Sequence, residues 1–262
     1  MKRAFSTLGC PGWTFEEILT AGQSLGYDGI ELRGIGDVMR TDAVLQLQPA
    51  HRAETARLLR EAGLTLCCID CSAMFANPAK RAEALAESRF AVDAAAELKT
   101  PYIRVFGDRI TENEADCMAY TAAGIAELCA YAAGTGVTVL LETHGDFNTI
   151  PRLTALAERV NRPEFGLIWD VEHTATDDVA ARAGFLDVLY SLIRHVHMKD
   201  RRNGTLCRIG EGDLPLHAIY HDLQARGYDG FYSLEWEKRW HPELVEPDVA
   251  LRDFAAFASS VR

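Results

Sequence analysis

Short apolar runs rich in β-branched residues alternate with longer stretches of helical periodicity along this chain. The runs fall at 3–8, 28–33, 64–70, 101–106, 137–142, 164–170, 194–199 and 231–236, and each reads as a strand. Amphipathic stretches near 14–25, 50–62, 79–98, 113–135, 149–160, 177–192, 214–226 and 243–260 read as helices. Punctuation agrees with both sets. Thr14-Phe15-Glu16-Glu17 and Thr111-Glu112-Asn113-Glu114 have capping-box spacing, and Asn77-Pro78 fits an N-cap followed by the first helical residue. Gly26, Gly63, Gly136 and Gly227 stand where a helix end needs a left-handed residue.

Eight strand–helix units with no Pro/Ser/Gly linker predict an α/β fold: one closed (β/α)8 TIM barrel, with residues 1–262 as a single domain. The competing architecture is an open doubly wound sheet. That fold usually opens with a Gly-rich phosphate turn, and Leu8-Gly9-Cys10-Pro11-Gly12 is not one. Gly26-Tyr27-Asp28-Gly29 returns as Gly227-Tyr228-Asp229-Gly230, each time between a helix end and a strand, and is read as a favoured turn.

Composition narrows the function. A net charge of −11 and a pI near 5.2 oppose a phosphate backbone, so no nucleic-acid partner is expected. No run nears the roughly 18 apolar residues of a membrane span, and no apolar signal region follows Met1. The seven cysteines, an odd number, fit reduced thiols, and the expected location is cytoplasmic. Assembly with further copies of the chain is left open.

The informative pattern is where polar residues interrupt the apolar runs. The strand at 137–142 ends in Glu142, followed by Thr143 and His144; that at 164–170 ends in Asp170, with Glu172 and His173 beyond. The next carries His195, His197 and Lys199 before Asp200, and the last carries Glu235 and Glu237 around Trp236. Any one of these is more simply a helix cap or a hydrogen-bonded core histidine. Four consecutive strands ending this way point instead to the barrel's carboxyl-end face, where active sites of this fold are built. Several carboxylates buried together need a compensating cation. Oxygen ligands with one imidazole suit Mn²⁺, Mg²⁺, Co²⁺ or Zn²⁺.

Leu-Glu-Thr-His at 141–144, Trp-Asp-x-x-His at 169–173, His-x-Lys-Asp at 197–200 and Gly-Tyr-Asp-Gly…Leu-Glu-Trp-Glu at 227–237 resemble the sugar phosphate isomerase/epimerase family. This is the xylose isomerase-like barrel superfamily, which also holds inosose dehydratase, tagatose epimerases and endonuclease IV. The resemblance covers nearly the whole chain, the opening Thr-Leu-Gly-Cys-Pro and Gly-Tyr-Asp-Gly-Ile-Glu-Leu-Arg included. It implies one divalent metal ion held by Glu142, Asp170, His197 and Glu235. His197 is preferred to His195 because it lies nearer the carboxyl end, and Glu237 is held in reserve. His173, His144 and Lys199 would contact a small carbohydrate substrate. Glu142 and Glu235 would pass a proton across an enediolate beside a carbonyl, isomerising or epimerising a sugar, sugar phosphate or polyol ketone.

Three other readings compete. A dehydratase of an inosose-like polyol shares the first proton abstraction. An endonuclease IV-like phosphodiesterase needs further histidines, and Asp70-Cys71-Ser72 and Val105-Phe106-Gly107 supply none. A sugar-binding barrel without catalysis would have little need of all four ligand positions. Cys68-Ile69-Asp70-Cys71 places its thiols on opposite faces of a strand, so both read as core residues. Gly210-Glu211-Gly212-Asp213 reads as a flexible loop, and Arg33 and Arg104 as anion contacts or surface ion pairs. Trp13, Phe106, Trp236 and Trp240 read as core, with a sugar-pocket wall as the alternative. No G-x-S-x-G, H-E-x-x-H or Walker sequence is present.

Overall fold

The strands form where the apolar runs predict them. A computed structural model describes residues 1–111, 113–174 and 178–261. Its barrel strands are β1 (Lys2–Ser6), β2 (Gly29–Leu32), β3 (Thr65–Met74), β4 (Tyr102–Phe106), β5 (Thr138–Glu142), β6 (Phe165–Asp170), β7 (Ile193–Met198) and β8 (Phe231–Leu234). They pair in parallel and close in the order β1-β8-β7-β6-β5-β4-β3-β2. The main helices span Phe15–Ser24, Arg52–Ala62, Arg81–Leu98, Glu114–Ala132, Ile150–Val160, Val179–Leu189, Leu216–Ala225 and Pro247–Ser260.

Local chemistry sets the helix ends. The Thr14 hydroxyl accepts from the Glu17 amide at 3.2 Å, while the Glu17 carboxylate accepts from the Thr14 amide at 2.7 Å. The second expected capping box does not form. Asn113 is the cap there, its short side-chain carbonyl reaching the Ala115 and Asp116 amides at 2.9 and 3.3 Å, and Glu112 lies outside the described residues. Gly26, Gly63, Gly136 and Gly227 all take positive φ, 67°, 68°, 83° and 79°. Lys99 and Asn161 cap helices in the same left-handed region, unannounced by a glycine.

Two apolar layers hold the barrel. The larger packs outward-facing strand residues such as Phe5, Ile69, Val139, Leu167 and Trp169 against the helices. The smaller lies inside the barrel and consists of Cys68, Leu140 and Ile168, with Tyr102 against them. Strand register stacks polar residues level with and beyond this inner layer. Asp70 pairs with Arg104, Asp170 with His197, and Ser6 with Glu31. Three features go beyond the strand pattern. β3 runs on to Met74, with a register shift after Asp70. Glu235 falls just past β8, not within it. A hairpin of Asp200–Arg202 and Thr205–Cys207 turns at Asn203-Gly204, with φ of 52° and 78°. Among the described residues, no helix is long and apolar enough to cross a membrane.

Candidate metal centre at the carboxyl end of the barrel

Four strands deliver Glu142, Asp170, His197 and Glu235 to one point. Each offers a ligand atom within 4.8 Å of the others, and all four residues are buried. Glu142 Oε2, Asp170 Oδ2, His197 Nδ1 and Glu235 Oε2 are buried without a hydrogen bond of proper geometry. Buried polar atoms are ordinarily paired, so four orphans converging on one point are what a carboxylate–imidazole cradle for a cation looks like.

The electrostatics of the cradle are unbalanced in a consistent direction. Burial and the Glu235 charge push the Glu142 carboxyl up to about 7, against the opposing pull of Arg104 and His197. Burial also disfavours charge on Glu235, but His197 and Lys199 outweigh it and hold its pKa well below the ordinary value. His197 is driven the other way: despite burial, Glu235, Glu31 and Glu142 raise its pKa well above that of a free imidazole. Arg104 lies inside the barrel, 3.4 Å from Asp70 and 3.2 Å from Glu142, so it is neither a surface ion pair nor free for an external anion. Burial and the neighbouring Glu31 raise the Asp70 carboxyl, whose two oxygens have no hydrogen-bond partner.

Lys199 enters the same cluster from just past β7. Its ammonium bonds Glu237 Oε1 at 2.7 Å and approaches Glu235 Oε2 at 2.7 Å and Asp170 Oδ2 at 2.9 Å. The last two are ion pairs by distance without hydrogen-bond geometry, which is why those carboxylate oxygens still count as orphans. Burial opposes the charge on Lys199, yet Asp170, Glu235 and Glu237 raise its pKa well above the usual value. Glu237 therefore serves the lysine at the rim, outside the four-residue point.

His144 and His173 lie at the rim, their rings edge to face with centroids 4.8 Å apart. Phe106 flanks His144 at 5.0 Å, and His173 Nε2 is 3.7 Å from Asp170 Oδ2. Both are partly exposed, so they wall an approach to the four-residue point. Trp236 belongs to the core, its indole N–H bonded to Val245 O, and Trp240 is exposed.

Two contributors were not singled out from the sequence. Glu31 is buried beneath the cluster, in contact with His195 and His197. A lone acid within the apolar Gly-Ile-Glu-Leu of β2 was the available signal. Asp200 is the other. Its carboxylate accepts from the amides of Arg201, Gly210, Gly212 and Leu214 at 2.9, 2.9, 3.0 and 3.3 Å. A Cβ on Gly212 would collide with that carboxylate, so the close approach requires glycine. The 210–213 loop is thus pinned, not flexible as its composition suggested.

A family model described as xylose isomerase-like TIM barrel matches residues 19–257. The fructoselysine 3-epimerase of Shigella flexneri is 24% identical, with 90% of each chain covered. Among solved structures, a 3-keto-D-glucoside 4-epimerase from E. coli superposes with a TM-score of 0.78 at 20% identity, covering 99% of both chains. A probable 3-DHS dehydratase from Bacillus anthracis gives 0.77 at 19% identity, over 96% of this chain and 98% of its own.

Proposed function

Because the chain belongs to the xylose isomerase-like TIM barrel family, we propose that it is a metal-dependent enzyme that epimerises or isomerises a small carbohydrate ketone or aldehyde. The observation that supports this most is the convergence of four orphaned ligand atoms from Glu142, Asp170, His197 and Glu235. These residues would hold one divalent ion, Mn²⁺, Mg²⁺, Co²⁺ or Zn²⁺. When bound, the ion would polarise the substrate carbonyl and its neighbouring hydroxyl. We take residues 1–262 as one catalytic domain.

The chain's own groups account for the remaining chemistry. Glu142 and Glu235 come from strands on different sides of the barrel, so they flank a substrate held between them. One carboxylate takes the proton from the carbon next to the carbonyl, and that C–H electron pair becomes the C=C of an enediolate. The other carboxylate returns a proton to the opposite face for epimerisation, or to the neighbouring carbon for isomerisation. No oxidant or reductant is consumed. Lys199 hydrogen-bonds a substrate oxygen beside Asp170 and Glu235, and the His144–His173 pair lines the entry.

Chelator treatment, metal analysis and reloading should give about one divalent ion per chain. The loaded protein is then offered ketoses, aldoses, their phosphates and inososes in D₂O, with products read by NMR. Interconversion with deuterium on the carbon next to the carbonyl is expected. Net loss of water from a substrate would instead make the chain a dehydratase, as the Bacillus anthracis neighbour is described as a probable one. Neither turnover nor substrate-dependent exchange across the panel would remove the proton-transfer reading.

A further inference from the structure

Beneath the four-residue cluster sits a second buried group, Glu31, His195 and His197. Glu31 Oε2 is 2.5 Å from His195 Nε2 and 3.1 Å from His197 Nε2. The other ring nitrogen of His197, Nδ1, lies 3.2 Å from Glu235 Oε2 and 3.8 Å from Glu142 Oε2. The imidazole therefore spans two carboxylate environments, one nitrogen in each.

This lower group is spaced for hydrogen bonding, not for an ion of its own. Two ligands at about 2.0–2.1 Å in a tetrahedral site would stand roughly 3.3 Å apart, well beyond the contact between Glu31 and His195. A carboxylate offers only lone pairs, so each imidazole nitrogen that faces Glu31 must bring a hydrogen. We propose that Glu31 is a positioning residue that keeps the His197 hydrogen on Nε2, so that Nδ1 presents its lone pair to the divalent ion. His195 braces Glu31 from the other side, fixing the carboxylate at the required height in the barrel. A ligating histidine whose far nitrogen is held by an acid is a stronger and better-aimed ligand. The sequence separates Glu31 from His197 by 166 positions, and only barrel closure brings them together. This inference rests on the metal-dependent reading above.

The test uses full-length protein. In wild type carrying ¹⁵N-labelled histidine and loaded with Zn²⁺, the His197 signals should show a hydrogen on Nε2 and metal on Nδ1. Mn²⁺ affinity is then measured by calorimetry for E31Q and E31L. The glutamine carbonyl can accept the same N–H, so E31Q should stay within a few-fold of wild type. E31L cannot accept it and should bind about 10- to 100-fold more weakly. Metal on Nε2 in wild type would overturn the proposal even if E31L fails to fold. So would a folded E31L that binds Mn²⁺ as wild type does, with the metal site itself intact. If wild type takes up no divalent ion, the functional reading falls and this inference falls with it.

Discussion

Replacing Asp200 by alanine removes the carboxylate that accepts from four backbone amides, Arg201 in the hairpin and Gly210, Gly212 and Leu214 in and beside the rim loop. A hydrogen bond to a charged group contributes about 1.5–3 kcal/mol, so an upper sum for the four is roughly 6–12 kcal/mol. The released amides sit near the surface and recover most of this from water, leaving about 3–4 kcal/mol as the local loss. That is a factor of roughly 10² to 10³ in the opening equilibrium of the loop. Hydrogen exchange should therefore quicken by that factor at Gly210, Gly212 and Leu214. Amides of β5 and β6 should keep their protection. D200N, which retains a carbonyl acceptor but loses the charge, should fall between. The loop follows the hairpin that leaves β7, the strand that carries His197, so D200A should also raise KM more than it lowers kcat. A folded D200A with wild-type exchange at all three amides would refute the claim that this carboxylate organises the rim.

Four further outcomes are expected. D170A and H197A should each lose tight metal binding, seen as loss of stoichiometric ion after gel filtration, because each removes one of the four converging atoms. At saturating metal, E142Q and E235Q should lower turnover by about 10² to 10⁴, with deuterium incorporation falling in parallel. Metal affinity should rise with pH, because the ion must displace the proton on His197, whose pKa is raised, and the dependence should steepen below about 7, where Glu142 also carries one; a pH-independent affinity would contradict the assigned ligands. Replacing Cys68 and Cys71 by alanine or serine should cost about 1–3 kcal/mol of stability and leave turnover largely intact.

The barrel and most of its mouth were legible because the physics there is local. A strand buried on both faces leaves an uninterrupted apolar run, and an acid at its carboxyl end stands out against it, as Glu142 and Asp170 do. The Asn203-Gly204 pair is a hairpin signal of the same local kind, though the hairpin it turns stands outside the eight-strand pattern. Other features depend on contacts distant in sequence. Glu31 reads as an isolated acid until closure sets it under two histidines from β7. Arg104 reads as an anion contact or a surface ion pair until register places it between Asp70 and Glu142. Lys199 offers no sign in sequence that four carboxylates surround it.

The separation of the two apolar layers bears on how such a chain can change over generations. Nearly all of the hydrophobic burial lies outside the strand cylinder, between strands and helices, whereas the chemistry-bearing side chains lie within it. A substitution inside the cylinder alters charge and reach near the substrate without opening a void in the outer layer. Drift among inward-facing positions can then explore new substrates while the scaffold keeps its folding free energy. Outer-layer positions such as Trp169 and Phe254 have no such latitude, because trimming either leaves a cavity costing about 3–5 kcal/mol. Chains of this design should diverge in what they convert long before they diverge in shape.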